Sequence, residues 1–141
     1  MNNPTTPDGR DHHTLTLTLA VRGAPRALEF YTQAFGAKEI FRVPGPEGRI
    51  AHAQMRIGDS LFFLADEDPS IPNGYRSPQT LGGTCCAVYM YVPDADAAFE
   101  RAMRAGAESL VPVADQQWGD REGLVRDPFG HLWALAMRKR E

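Results

Sequence analysis

Between His13 and Val21 the chain alternates strictly, with Leu15, Leu17, Leu19 and Val21 on one face and Thr14, Thr16, Thr18 and Ala20 on the other. A period of two is that of a β-strand with one face turned to a core. The pattern then changes to helical spacing: Ala27, Leu28, Tyr31 and Phe35 share a stripe, Pro25 suits an early helical turn, and Gly36 supplies a stop. "KEIFRVP" predicts a short strand and "GPEG" a turn. "RIAHAQMRIG" alternates again, setting His52, Gln54 and Arg56 against Ala51, Ala53, Met55 and Ile57. Gly58-Asp59 then turns the chain into the apolar strand "SLFFLA".

The second half repeats this order. "CCAVYMYVP" reads as a strand, and "DADAAFERAMRAGA" as a helix with Asp94 or Asp96 as its cap and Gly106 as its stop. "ESLVPVAD", "REGLVRDP" and "HLWALAM" follow as three further strands. The repeat, with a period of about seventy residues, predicts an α+β fold of two βαβββ modules that form a cupped mixed sheet. The expected boundaries are a flexible tail over 1–13, one domain over 14–137 and a charged end over 138–141. Within the domain, modules at 14–66 and 84–137 flank a Pro/Gly-rich linker at 67–83. One amphipathic helix per module covers only one face of its strands, so the other faces must meet something else.

Composition narrows what that could be. The chain has 141 residues, 43% hydrophobic, and a formal net charge of -3 from 15 Lys/Arg against 18 Asp/Glu. That balance offers no broad positive field for nucleic acid. No apolar run reaches the roughly 20 residues of a membrane span, and the polar start is unlike a signal peptide, so a cytoplasmic protein with no membrane partner is expected. The adjacent Cys85 and Cys86 suit neither a disulfide scaffold nor a CxxC knuckle, and read as reduced, buried residues of a strand.

With Leu15, Leu17, Leu19 and Val21 toward the helix, Thr16, Thr18 and Ala20 line the enclosed side. In the second module Cys85, Ala87, Tyr89 and Tyr91 take that place. Hydroxyls and phenols on a concave surface suit a small organic ligand, although the same residues also serve as ordinary packing. His52 is the best candidate for proton exchange or ligand binding, against the alternative of a structurally bonded histidine. Trp118, in the loop "ADQQWGDREG", is a candidate wall or lid; Trp133 should pack toward the helix. Arg121 could bind an anion, but pairing with Asp120 or another carboxylate is at least as well founded. No serine elbow, nucleotide loop or acid/base pair is present.

The segments "AVRGAPRALEFYTQAFGA", "PGPEGRIAHAQMRIGDSLFFLAD", "SPQTLGGT", "YVPDADAAFERAMRAGA" and "WGDREGLVRDPFGHLWALA" occur in this order. Together they resemble the vicinal oxygen chelate superfamily, which includes glyoxalases, bleomycin-resistance proteins and extradiol dioxygenases, and within it the PhnB-like proteins. The resemblance covers about Leu15 to Met137 and is specific for fold rather than reaction. It implies a homodimer whose cups are built from paired modules. It also implies metal ligands, in the metal-using relatives, at places matching Thr16, Phe62, Ala87 and Ala134. None of these offers an imidazole or carboxylate, so no metal and no cofactor is expected. An atypical divalent site drawn from His52, His131 and acidic loop residues stays open. A histidine at the His52 position is part of the resemblance, while close relatives often carry an acidic residue where this chain has Gln54.

The leading expectation is metal-independent binding of a small hydrophobic or aromatic molecule, with antibiotic sequestration as one use. Thr16, His52, Gln54, Phe62, Tyr89, Tyr91, Trp118 and Arg121 are the candidate ligand-binding residues. The alternatives are a lyase, isomerase or dioxygenase with an atypical site using His52, and an interaction module whose cup is filled by its own side chains. Whether the chain is an enzyme is left open by its residues.

Overall fold

The computed structural model describes residues 12–72 and 74–139. The tail expected over 1–13 lies mostly outside these residues, as does the last part of the charged end. Among these residues eight strands and three α-helices follow in the order β1 (Thr18–Val21), α1 (Ala24–Phe35), β2 (Lys38–Pro44), β3 (Ile50–Ile57), β4 (Ser60–Asp66), α2 (Pro78–Leu81), β5 (Ala87–Tyr91), α3 (Ala95–Ala105), β6 (Glu108–Asp115), β7 (Asp120–Arg126) and β8 (Leu132–Arg138), with a short 3-10 turn at Pro46–Gly48 between β2 and β3. They form two four-stranded sheets with the same plan, β1-β4-β3-β2 and β5-β8-β7-β6. In each, the first strand pairs parallel with the last and the remaining pairs are antiparallel. This is the βαβββ repeat that the hydrophobic pattern predicts.

Local chemistry sets the helices. The N-terminus of α1 is capped from a distance: Asp66 Oδ1, at the end of β4, accepts from the Gly23 and Ala24 amides at 2.8 and 2.9 Å. Its Oδ2 accepts from Ile50 N at 2.8 Å, so one carboxylate pins the helix start to two strands. In α3 the cap is local, with Asp94 Oδ1 accepting from Ala97 N. Both helices end on a glycine with positive φ, Gly36 at 68° and Gly106 at 123°, a backbone conformation that costs glycine nothing.

The two helices pack on each other between the sheets. Tyr31 and Phe35 from α1 and Phe62 from β4 meet Phe129 and Trp133 of the second module. Phe35 and Trp133 stand 4.5 Å apart between ring centroids, Tyr31 and Trp133 5.3 Å. Asp127 lies buried inside this aromatic seam. Its Oδ1 accepts from Phe129 N and His131 N, and its Oδ2 from Tyr31 Oη at 2.6 Å and Trp133 Nε1 at 2.9 Å. Burial and the adjacent Asp127 push the Tyr31 phenol well above its ordinary range, so it remains a donor. Each bond to a charged acceptor is worth roughly 1.5–3 kcal/mol, so this carboxylate both shapes the turn and ties the modules together. A further tie is His131 Nε2–H, which donates to the Ala20 carbonyl at 2.8 Å.

Three sequence expectations change. The first strand is shorter than the alternation suggests: it begins at Thr18, and Leu15 is 88% exposed. On the ladder that matches Thr18 to Phe63, the first residue of β4, Ser60, falls opposite Leu15, so the residues before Leu15 have no partner in β4. The linker is not wholly irregular, since Ser77 caps the short helix α2. Cys85 and Cys86 precede β5 rather than belonging to it, and both are exposed.

Candidate functional site

Strand register sorts every side chain to the helix face or to the opposite, open face. In the first sheet Ala53 and Leu64 are partners, as are Met55 and Phe62, and all four are buried against α1. Their neighbours Gln54 and Phe63 are partners on the open face, where Val43 lies opposite His52 and Phe41 opposite Gln54. In the second sheet Val88 and Met90 pair with Trp133 and Leu135 on the helix face. Tyr89 and Tyr91 pair with Ala134 and Ala136 on the open one. Trp133 is 1% exposed, in the core position expected of it.

The open face of the first module carries a chain of polar groups over aromatic rings. The Gln54 amide N–H donates to His52 Nε2 at 2.9 Å, and His12 Nε2–H donates to Gln54 Oε1 at 3.4 Å. Phe63 lies between them, its ring centroid 4.9 Å from that of His52 and 5.8 Å from that of His12. Partial burial lowers the His52 pKa below its ordinary value, which keeps the ring neutral and able to accept a proton.

The second open face carries an aromatic corner. The Tyr89 and Tyr91 rings are 5.5 Å apart at an interplanar angle of 62°. Their hydroxyls converge on one oxygen of Asp120, donating at 2.6 and 2.8 Å. Arg138 Nη1 donates to the other oxygen at 3.0 Å, and Trp118 Nε1 donates to the Tyr89 hydroxyl at 3.1 Å. Asp120 is held below the usual carboxylate range, first by the Tyr89 hydrogen bond, and then by Tyr91 and Arg138 against the cost of desolvation. The Tyr89 phenol is pushed up to about 12, chiefly by desolvation and by Asp120. Between the modules, Leu17, the turn at Gly58–Ser60, Phe62 and Trp133 enclose with Tyr89 and Tyr91 a cleft of about 420 Å³. That volume is of the size that takes a small organic molecule.

The structure therefore brings Tyr89, Tyr91 and Trp118 together, and His52 with Gln54, as two clusters on separate faces. The other candidates sit elsewhere. Thr16 lies ahead of β1, beside His13, Leu15, Ser60 and Leu61. Phe62 is 5% exposed and belongs to the core side of β4, its ring against Tyr31 and Trp133. Phe63 takes the open-face place instead, because the strand register is one residue from the expected one. Arg121 is on the helix face, with Nε and Nη2 bound to Asp96 and Nη1 to Asp115, which raises its already high pKa. Its donors are committed to α3 and β6 rather than offered to a ligand. Phe63 and Arg138 were not singled out from sequence, and Asp120 only as a partner for Arg121, whereas it pairs with Arg138; the alternation of Asp120, Glu122 and Leu124 was the available signal for its place on the open face.

The places where the resemblance implies ligands in metal-using relatives hold Thr16, ahead of β1, Phe62 in the core, and Ala87 and Ala134, whose methyls lie on the open face. Among the described residues no three His, Cys, Asp or Glu side chains converge. That donor chemistry does not fit a divalent ion. Among the described residues, no helix is long and apolar enough to cross a membrane.

The comparisons agree with this architecture. The sequence profile of the Glyoxalase/Bleomycin resistance protein/Dioxygenase superfamily matches residues 11–135. An uncharacterised protein of Mycobacterium bovis is 45% identical over 124 residues, which span 87% of this chain and 82% of the relative. Among solved structures, TioX from Micromonospora sp. ML1 superposes with a TM-score of 0.67 at 29% identity, over 92% of this chain and 98% of its own. A gene product of Arabidopsis thaliana gives a TM-score of 0.67 at 28% identity, over 89% and 98%. This chain belongs to the glyoxalase/bleomycin resistance protein/dioxygenase superfamily.

Proposed function

We propose that the chain is a cytoplasmic, PhnB-like binding protein for a small hydrophobic or aromatic molecule, that it needs no metal, and that it works as a homodimer. The observation that carries this reading is the aromatic corner. Tyr89, Tyr91 and Trp118 are 44%, 58% and 58% exposed, yet their polar atoms are fixed through Asp120. Large rings held in place before a ligand arrives lose little entropy on binding, which is what favours affinity. Ala134 and Ala136 beneath them leave the ring faces accessible. Sequestration of an antibiotic is one use that fits such a surface, and the superfamily name includes bleomycin resistance proteins.

The test is calorimetric titration of chelator-treated protein with a panel of aromatic compounds. Binding should persist without metal and weaken about tenfold in Trp118→Ala and Tyr91→Ala, the loss of one stacking surface. Engagement only after a divalent ion is restored would sink the reading. A second reading, an enzyme of lyase, isomerase or dioxygenase type, is favoured by one observation: His52 is neutral, half-buried and oriented by Gln54. Turnover that disappears in His52→Ala would support it.

A further inference from the structure

The corner of the second open face has more to say about charge. Each phenol has one proton, and both are given to Asp120; the single indole proton of Trp118 is given to the Tyr89 oxygen. The three rings therefore present faces and oxygen lone pairs, with none of their own O–H or N–H groups left over for an anion or a carbonyl, and the nearest cation, Arg138, is drawn to Asp120. A phenol that donates to a carboxylate is also richer in electrons over its ring, which strengthens attraction for positive charge at the face. The two rings stand edge to face at 62°, their centroids 5.5 Å apart, so a group set against the corner meets a ring face backed by a second ring.

The charges beside the wall point the same way. Asp120 is matched by Arg138. On the same strand and the same face, Glu122 lies opposite Ala136, which is in turn opposite Tyr91, placing Glu122 roughly two strand spacings, about 10 Å, from Tyr91 along the sheet. Among the described residues its carboxylate has no hydrogen-bond or cationic partner. Partial burial and the charge of Asp120 raise its pKa, and its own field reaches the Tyr89 phenol. Farther out on the face, Arg126 is already paired with Glu108. The balance at the wall is thus two carboxylates against one guanidinium.

We propose that the Tyr89, Tyr91 and Trp118 corner, with Glu122 beside it, selects an organic cation: a quaternary ammonium or protonated amine carried on an apolar body. This rests on the small-molecule binding reading above and narrows its ligand class. An anionic or neutral ligand meets the same apolar contacts but leaves the Glu122 charge uncompensated. A cation satisfies it, at the ring faces best suited to it.

Full-length, ¹⁵N-labelled protein distinguishes these outcomes. The probes are phenyltrimethylammonium, its neutral isostere tert-butylbenzene, and benzenesulfonate, each followed by the shift of the Trp118 indole N–H, assigned with Trp118→Phe. The expected result is a preference of about tenfold for the cation over the neutral isostere, the size of a partly desolvated cation–π contact. Glu122→Gln, an isosteric change at a partnerless group, should lower the ratio of cation to neutral affinity several-fold. Equal affinity for the cation and tert-butylbenzene, or preference for benzenesulfonate, overturns the charge selection while leaving small-molecule binding in place. No shift with any probe removes both. An indole shift that follows protein concentration, with no further shift when the cation is added to the associated protein, would show that a second copy fills the corner, and would overturn the cation site.

Discussion

The placement of single residues on one face or the other decides their chemistry in this molecule. Leu19 and Val21 could be assigned to the core from alternation alone, and so could Tyr89 and Tyr91 to the open side. Phe62 and Phe63 could not, because two adjacent phenylalanines are equally apolar in either register and only the pairing with Met55 and Gln54 separates them. Arg121 was ambiguous for another reason: its partner Asp96 is 25 positions away on a helix. His52 was legible as a candidate, and its environment makes a prediction. Burial holds its folded pKa below 6.5, while the unfolded chain protonates near that value. Just below it the unfolded state binds more protons, so this group's contribution to stability is intact above 6.5 and declines as pH falls toward the folded pKa. The facing groups are Gln54, Phe41 and Phe63, with His12 beyond them against Gln54 and Phe63. Urea denaturation of the wild type and His52→Gln between about pH 7 and 5 should give profiles that diverge toward acid, the variant losing less. Parallel profiles would show that His52 does not feel its surroundings in this way.

Elements were the most legible scale, since helix stripes, stops and strand alternation are all local. What a local pattern does not reveal is how closely an element lies on its neighbour. Gly123, in the middle of β7, has no turn to make. A Cβ there would stand 2.8 Å from Phe99 of α3 and 2.8 Å from Val113 of β6. This glycine lets α3 settle onto its sheet, and the sequence signals it only as an interruption in an otherwise regular strand. Gly123→Ala should destabilise the fold by about 1–3 kcal/mol through overpacking, read from urea unfolding. Val113→Ala should recover part of that loss in the double variant, a coupling that a general loss of strand propensity would not produce. Additive effects of the two changes would place the strain elsewhere.

At the scale of the whole molecule, the repeat is legible in the sequence but the relation between its copies is not. The seam is built from aromatic residues more than sixty positions apart, such as Phe35 and Trp133, and nothing local marks them as partners. That seam uses up the helix faces of both sheets. It leaves the His52 cluster and the Tyr89 cluster on two open faces, flanked by apolar side chains including Val43, 44% exposed, and Val111, 47% exposed. On the first face His12 lies over Gln54 and Phe63. Apolar side chains exposed on both open faces suit an interface, and a two-fold pairing that sets the first module of one copy against the second module of the other would cover both faces on each copy. The homodimer proposed above is then also the way a cup is closed: each site would draw aromatic groups from one chain and the imidazole from the other. Sedimentation equilibrium should give twice the 15.6 kDa chain mass. Val43→Asp and Val111→Asp place unpaired carboxylates on the two faces away from Tyr89, Tyr91 and Trp118. Each should shift the mass toward the single chain and weaken ligand binding in parallel, whereas a monomer that binds with undiminished affinity would show that one open face suffices.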